Sequence, residues 1–161
     1  MDRCDECGFV YPTVSAARLP VRIRAAGPRF AAALDAVADP RRRPDAGVWS
    51  PLEYACHVRD VLRIQAERLD LALREDNPSF APMGRDERVV ADGYNAQDPG
   101  TVLAGLDAAA AGLARAFAGL TPAQWERTGV YHWPVVRART MLWVGRHTVH
   151  EIEHHLLDIT R

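Results

Sequence analysis

Two histidines one helical turn apart, His150 and His154, lie near the end of the chain. Side chains at i and i+4 share one face of an α-helix, so two imidazoles at this spacing can bind one metal ion. With Glu151 the run also matches His-Glu-x-x-His, the zinc-peptidase pattern. Seven residues follow His154; none is Glu, and the only histidine among them is the adjacent His155. A peptidase is therefore disfavoured, and a third ligand is expected upstream.

Only two histidines lie outside the predicted last helix, His57 and His132. His57 falls two turns into a predicted helix and near its apolar side, so it can point into a bundle, whereas His132 lies in a loop of undefined orientation. Three neutral imidazoles with an open position are typical of a catalytic site, because structural zinc sites usually have four protein ligands. The economical prediction is a metal site of His57, His150 and His154. The alternatives, a hydrogen-bonded core histidine and two surface histidines, stay open.

Neighbouring side chains could support such a site. Glu53 and Asp60 lie one turn before and one turn after the upstream histidine, and either carboxylate could orient its ring. Glu151 is the residue a peptidase would use as general base, but it lies about 80° around the helix from the mean ligand direction and is expected to face solvent. His147 shares the stripe of the paired histidines and is an alternative ligand, whereas His155 is expected to turn towards solvent.

A second cluster of metal-binding residue types stands at the start, Cys4-Asp5-Glu6-Cys7-Gly8. This pattern resembles one knuckle of a zinc ribbon, which needs a second ligand pair. Cys4 and Cys7 are therefore a candidate second metal site, completed by other residues or by a partner chain. A redox pair and plain surface thiols are the alternatives, although the strand-to-helix junction typical of redox motifs is absent. Cys56, the third thiol, is expected to be a small core residue.

The elements that must position these residues are predicted to be helices. Apolar residues recur at helical spacing in four long segments, and no segment shows strand alternation or a hairpin turn. The sequence thus predicts an all-α four-helix bundle, in whose core facing helices can build a metal site. The expected helices start at Pro20 with an interruption by Pro28, at the capping box Ser50-Pro51-Leu52-Glu53, after Asp98-Pro99, and at Thr140 to about Ile159. The second and third are joined by a long irregular connection over 79–98 with a short helix near 86–91, and 129–134 is expected to be a loop.

Composition narrows the function classes. The chain has 161 residues and a mass of 17.8 kDa, which suits one domain, here predicted as an extension over 1–19 and a bundle over 20–161. Twenty basic and twenty-one acidic residues leave no electrostatic footprint for nucleic acid or for an anionic membrane. We find no signal peptide and no apolar stretch of the roughly 20 residues that span a bilayer. A cytoplasmic location is expected, where cysteines are thiols or metal ligands.

One arrangement of residues resembles a known family. Trp49-Ser50-Pro51-Leu52-Glu53, then His57-x-x-Asp60, then His150-x-x-x-His154, is similar to the DinB/YfiT-like metalloprotein superfamily of four-helix bundles. The resemblance covers most of the chain and rests on the order and spacing of the histidines. It implies that His57, His150 and His154 bind one divalent ion, commonly Zn or Ni and sometimes Fe or Mn. Members with known activity use low-molecular-weight thiols such as mycothiol or bacillithiol.

The expected function follows from that resemblance. A divalent cation lowers the pKa of a bound thiol, and the thiolate can attack an electrophilic carbon. We therefore expect a metal-dependent thiol S-transferase with a small-molecule substrate, with mycothiol as the thiol if the Arg- and Ala-rich composition reflects a GC-rich genome. The alternatives are a metal-assisted hydrolase of a small molecule and a non-enzymatic metal-binding or stress-response protein. Related bundles often pair, so a homodimer is also expected.

Overall fold

The computed structural model describes residues 3–161. It is a helical bundle with one small hairpin, and it confirms the predicted all-α four-helix architecture, with a split first helix. Single 3-10 turns lie at Tyr11–Thr13, Ala16–Arg18 and Tyr94–Ala96. The regular elements are α1 Leu19–Arg24, α2 Ala26–Asp35, α3 Pro51–Arg74, α4 Arg85–Ala91, α5 Pro99–Ala118, α6 Pro122–Trp125, β1 Thr128–Tyr131, β2 Arg137–Thr140 and α7 Met141–Thr160.

The start of α3 is fixed by the capping box that the sequence predicts. The hydroxyl of Ser50 accepts a hydrogen bond from the Glu53 amide at 3.2 Å, and the Glu53 carboxylate accepts one from the Ser50 amide at 2.7 Å. Both bonds satisfy amides that a helix start leaves without partners. With the first turn fixed, His57 comes two turns into the helix and is buried. The capping box thus sets the position of the first candidate ligand.

The last helix, α7, carries the remaining histidines and packs against α3. Its first turn is capped by the Thr140 hydroxyl, which accepts from the Trp143 amide at 3.2 Å. One stripe of the helix supplies the core, and the histidines occupy the neighbouring stripes. The buried apolar residues of that stripe are Val149, Ile152, Leu156 and Ile159.

The first predicted helix is divided, as the interruption by proline predicts. The break falls at Ala25, between α1 and α2, and Pro28 lies in the first turn of α2. Proline is tolerated there because the amide it lacks would have no partner inside the helix. Both pieces pack against α5. The first side of the bundle is therefore a bent pair of short helices.

The hairpin of β1 and β2 corrects the prediction of a loop over 129–134 without strands. Thr128 pairs with Thr140 and Tyr131 with Arg137 in an antiparallel register. The Phe80 amide also donates to the Val130 carbonyl at 3.0 Å, which ties the long connection to β1. Strands of four residues are too short to show alternation, so tertiary pairing decides this element. The hairpin brings Tyr131 to the face of α3 and α7.

Helix α5 corrects a second prediction, that no segment is long and apolar enough to span a membrane. It has 20 residues, and an 18-residue stretch of it has a mean hydropathy of 1.3, so length and composition alone would allow a span. Its eight alanines contribute much of that value. The larger side chains pack in the bundle core, as expected for an internal helix of a bundle; they are Val102, Leu106, Leu113 and Phe117.

Candidate metal centre

Three donor groups from two facing helices meet in the bundle. His57 of α3 and His155 of α7 are 1% and 4% exposed. The Nε2 atoms of His57 and His155 lie 3.6 Å and 3.5 Å from the same oxygen, Oε2 of Glu151. Donors bound to one ion at about 2.1 Å in tetrahedral geometry are about 3.4 Å apart. All three donor atoms lie within 4.8 Å of one another, so the group is compact enough to bind a single ion.

Unsatisfied polar atoms indicate that the arrangement fits a metal. Neither ring nitrogen of the buried His57 has a hydrogen-bonding partner. Buried polar groups in folded proteins almost always have one, so this imidazole is costly to bury alone. An ion between His57, Glu151 and His155 would supply the missing interaction. Two imidazoles and a carboxylate are also a common ligand set for catalytic zinc and for neighbouring first-row metals.

A second carboxylate holds the ring of His155. Asp158, one turn further along α7, lies 2.9 Å from Nδ1 of His155. A hydrogen bond at Nδ1 directs Nε2 of the same ring towards the centre, and metal-binding histidines usually have such a partner. Asp158 is not among the residues predicted from the sequence. Its i,i+3 spacing from His155 is the signal that could have done so, had His155 been considered a ligand.

The carboxylates proposed to orient His57 form other contacts. Glu53 belongs to the capping box and pairs with Arg43, whose Nε lies 2.8 Å from Oε2. Asp60 binds Arg59 at 2.8 Å and accepts from the Tyr94 hydroxyl at 2.7 Å. Both carboxylates are therefore occupied by partners other than His57. Glu53 stabilises the start of α3, Asp60 ties α3 to the connection after α4, and neither carboxylate contacts the His57 ring.

Glu151 corrects the expectation that it faces solvent. Its side chain is 17% exposed and is surrounded by imidazoles. Burial opposes its ionisation, but the rings of His150, His155 and His57 hold the pKa of this carboxyl well below its usual value. Glu151 is therefore a carboxylate at neutral pH, which is the form that binds a cation.

A cavity of about 360 Å³ opens beside the three donors. Two cationic side chains reach it, Arg68 from α3 and Arg85 from α4. Arg68 donates to the Tyr131 hydroxyl and to the Ala81 carbonyl, both at 2.7 Å. The guanidinium of Arg85 lies 4.8 Å from the ring centroid of Trp49. The cavity is also lined by His57, Glu151, His147, Tyr131 and Trp133.

His147 stands at the inner wall of this cavity and is 4% exposed. Its Nδ1 lies 2.9 Å from the Tyr11 hydroxyl, and its Nε2 lies 3.7 Å from Oε1 of Glu151. Burial lowers the pKa of His147 to about 4, so the ring is neutral at pH 7. Predicted as an alternative ligand, His147 contacts the carboxylate oxygen opposite to the one that His57 and His155 approach. It is placed to exchange a proton with a group bound in the cavity.

The predicted ligand set of His57, His150 and His154 is not brought together by the structure. Each residue of an α-helix turns the side chain by 100°, so the pair at 150 and 154 points away from the pair at 151 and 155. The pair 151 and 155 faces α3 and His57. The other pair faces the N-terminal segment, where the donor atoms of Cys4, Cys7, His150 and His154 all lie within 4.8 Å of one another.

His155, expected to face solvent, is buried against His57 with ring centroids 4.8 Å apart. The cause is again the register of α7, because the sequence contains overlapping pairs at i and i+4 and does not say which pair faces α3.

The remaining candidate residues, Cys56 and His132, lie away from the three donors. Cys56 is fully buried in the core, as expected, and His132 bonds the Ser79 hydroxyl at 2.9 Å at the exposed rim of the cavity.

Comparison with known proteins agrees with this architecture. YfiT from Bacillus subtilis, described as a probable metal-dependent hydrolase with an unusual four-helix bundle topology, is similar with a TM-score of 0.81 at 20% identity. That match covers 91% of this chain and 86% of YfiT. A mycothiol-dependent maleylpyruvate isomerase is similar with a TM-score of 0.73 at 15% identity, over 92% of this chain and 62% of the isomerase. No curated protein matches the chain.

At these identities the solved structures establish the fold. The family assignment comes from the sequence itself, because the profile of the DinB superfamily matches residues 22–159. This range includes α3 and α7 up to Ile159, and hence all three donors of the candidate centre. The chain therefore belongs to the DinB superfamily.

Proposed function

We propose that the protein is a metal-dependent enzyme that transfers a low-molecular-weight thiol to a small anionic electrophile. In this proposal His57, Glu151 and His155 hold one divalent cation at the wall of the cavity. The observation that carries it is the buried His57 ring, whose two nitrogens lack hydrogen-bonding partners beside an ionised carboxylate. Three protein ligands leave at least one coordination position for a small molecule, which is the arrangement of catalytic sites.

When bound, a divalent cation would lower the pKa of a coordinated thiol and so supply a thiolate at neutral pH. The residues around it have separate tasks. Asp158 holds the His155 ring in its ligating orientation, and Tyr11 holds His147 by its Nδ1. His147 lines the cavity, and in the tautomer that donates its Nδ1 hydrogen to Tyr11 its Nε2 can accept the proton that the thiol loses.

The lining of the cavity supports an anionic substrate. Arg68 and Arg85 place two guanidinium groups at the cavity, and Glu151 is the one carboxylate among its described lining residues. In the proposal Glu151 is committed to the cation, so both arginines can bind a carboxylate of the electrophile. Tyr131 and Trp133 supply apolar surface for the rest of a small molecule. The thiol branch is supported by the fold shared with the mycothiol-dependent isomerase.

Hydrolysis is the second candidate, supported by the fold shared with YfiT. The same neutral His147 would then take a proton from water instead of from a thiol. The ligands, the cavity and the arginines would keep the same tasks. The two candidates differ only in the nucleophile, so a reaction that requires added thiol separates them.

The metal site is tested by elemental analysis of the purified protein. We expect His57→Ala to lose one equivalent of divalent metal and to keep its helical circular-dichroism spectrum. His132→Ala is the matched control, because that exposed histidine is outside the donor set. Full metal content in His57→Ala would overturn the centre.

The reaction is tested with metal-loaded protein, mycothiol or bacillithiol, and carboxylate-bearing aryl halides. In the expected step a carbon–sulfur bond forms, the carbon–halogen bond breaks and halide leaves, and the thiol proton passes through His147 to solvent. Product should require both metal and thiol and should be lost in His57→Ala. Turnover of 4-nitrophenyl esters without thiol would replace the transferase by the hydrolase. Rates at the uncatalysed level in both assays would reject both functions.

A further inference from the structure

Four soft and borderline donors converge where the N-terminal segment meets α7. Cys4 and Cys7 come from the segment, and His150 and His154 come from one face of the helix. One donor atom of each lies within 4.8 Å of the other three. This set lies outside the ligands proposed for the catalytic centre, and none of its members lines the cavity.

The turn that carries the cysteines is built to aim both sulfurs the same way. The Cys4 amide donates to the Phe9 carbonyl at 2.8 Å, and the Gly8 amide donates to the Cys4 carbonyl at 2.9 Å. Gly8 has a φ of +73°, a left-handed conformation that glycine adopts without strain. The turn thus holds Cys4 and Cys7 with their sulfurs within 4.8 Å of each other, close enough for both to bind one ion.

His154 has the Cys4 sulfur on one side of its ring and a carboxylate on the other. Nδ1 of His154 faces the Cys4 sulfur at 3.7 Å, while its Nε2 lies 3.3 Å from the Glu6 carboxylate. Sulfur and nitrogen bound tetrahedrally to zinc at about 2.3 and 2.0 Å are about 3.5 Å apart. A carboxylate on the far nitrogen is the usual support of a ligating histidine.

His150 supplies an independent indication. It is 3% exposed, and neither of its ring nitrogens has a hydrogen-bonding partner. Its Nδ1 lies 3.2 Å from Oε1 of Glu151, without the alignment of a hydrogen bond. The segment therefore buries an unsatisfied imidazole directly beside two thiols, which is unfavourable unless something binds there.

We propose that Cys4, Cys7, His150 and His154 bind a structural zinc ion that clamps the N-terminal segment onto α7. Two thiolates and two imidazoles in a compact group favour zinc among the available divalent ions. The four protein ligands close the coordination sphere, so this ion has no position for substrate. The site is therefore structural, in contrast to the open three-ligand centre.

The clamp has a consequence for the catalytic centre. Two residues just after the cysteines pack on His150: the Phe9 ring lies 5.6 Å from the His150 ring, and Tyr11 stacks on it at 5.5 Å. Tyr11 also bonds His147 through its hydroxyl. By fixing the segment, the zinc ion holds Tyr11 against the residue that we propose to exchange the proton. The zinc clamp thus helps to position His147, through Tyr11, without contacting substrate.

The test is cobalt substitution in the His57→Ala variant, which lacks a ligand of the other centre. After removal of bound metal and addition of Co²⁺, we expect a thiolate-to-cobalt charge-transfer band and the intense visible bands of tetrahedral cobalt. Both should disappear when Cys4→Ser and Cys7→Ser are added. Cys56→Ala is the matched control and should leave the spectrum unchanged, because that thiol is buried elsewhere in the core.

A cobalt spectrum without thiolate bands in His57→Ala would overturn the proposal. So would recovery of the native protein with a Cys4–Cys7 disulfide and no zinc, as shown by intact mass and elemental analysis. X-ray absorption at the zinc edge of the wild-type protein checks the same point without a variant, since the proposal requires zinc with two sulfur ligands. Neither readout depends on the catalytic proposal, because the first is made without His57 and the second measures sulfur ligation directly.

Discussion

At the scale of single residues, the centre depends on how α7 places carboxylates among imidazoles. Glu151 has His57 and His155 beside one oxygen and His147 and His150 beside the other. One ionised side chain therefore contacts every buried histidine of the bundle in the described residues. Asp158 lies behind this group, between the rings of His154 and His155.

Replacing Asp158 by asparagine tests the support of His155. The change keeps size but removes the charge that holds the ring by Nδ1, so metal affinity of the three-ligand centre should fall about 10- to 100-fold. A metal titration measures this, carried out in the Cys4→Ser/Cys7→Ser background so that only one site contributes. Asp70→Asn, in an exposed pair with Arg74, should leave the affinity unchanged. Equal affinities for both variants would contradict the orienting role of Asp158.

At the scale of elements, α7 can place its ligands only if it approaches the rest of the bundle closely. Gly145 marks the close approach: a Cβ added there would lie 2.8 Å from Cδ1 of Leu19 and 3.4 Å from the Phe117 ring. Leu19 and Phe117 are both buried, so neither side chain can move away without disturbing the core. This contact fixes the depth at which α7 lies between α1 and α5.

Two glycine substitutions separate helix propensity from packing. Gly145→Ala should destabilise the protein by about 1–3 kcal/mol, because the added methyl group overpacks the core and this cost exceeds the gain in helix propensity. Gly112→Ala in α5 meets nothing within 4 Å and should stabilise it by about 0.5–1 kcal/mol. Urea denaturation of the metal-loaded variants measures both free energies of unfolding. A stabilised Gly145→Ala would show that α7 lies less deeply in the bundle.

At the scale of the whole molecule, the N-terminal segment closes one side of the bundle. Tyr11 and Val14 are each 2% exposed, and Val14 belongs to the main core. The Arg146 side chain donates to the Val14 carbonyl at 2.8 Å, and Arg161 donates to the Glu6 carbonyl at 2.9 Å. Of the extension predicted over 1–19, residues 3–19 are described by the structure, and they pack on α7 through these contacts. The homodimer and the cytoplasmic location stay predictions.

The proposed clamp predicts how this segment responds to loss of zinc. The chain contains arginine and no lysine, so trypsin cuts only after arginine, and Arg18 is exposed at the end of the segment. Cleavage after Arg18 should be several-fold faster in Cys4→Ser/Cys7→Ser than in Cys56→Ala, because the segment opens more often. Mass spectrometry of timed digests measures the rate. Identical rates in the two variants would mean that apolar packing alone holds the segment.

Much of the architecture could be predicted from local patterns. The capping box at Ser50, the caps at Asp98 and Thr140, and the interruption near Pro28 all lie in the short-range sequence, where side chains bond amides a few residues away. Helical spacing of apolar residues then defined the four sides of the bundle. The hairpin was not predicted, because its two short strands are stabilised by hydrogen bonds to each other and to the long connection, which the local sequence does not reveal.

The sequence by itself determined which residue types could bind metal and on which helices they lie, His57 on one and the cluster 147–155 on another. Only the tertiary structure decided how that cluster is divided. One residue of helix rotates the side chain by 100°, so overlapping pairs at i and i+4 look equivalent along the chain and face different neighbours in the fold. Packing against α3 selects Glu151 and His155 for His57, and packing against the N-terminal turn brings His150 and His154 to the cysteines.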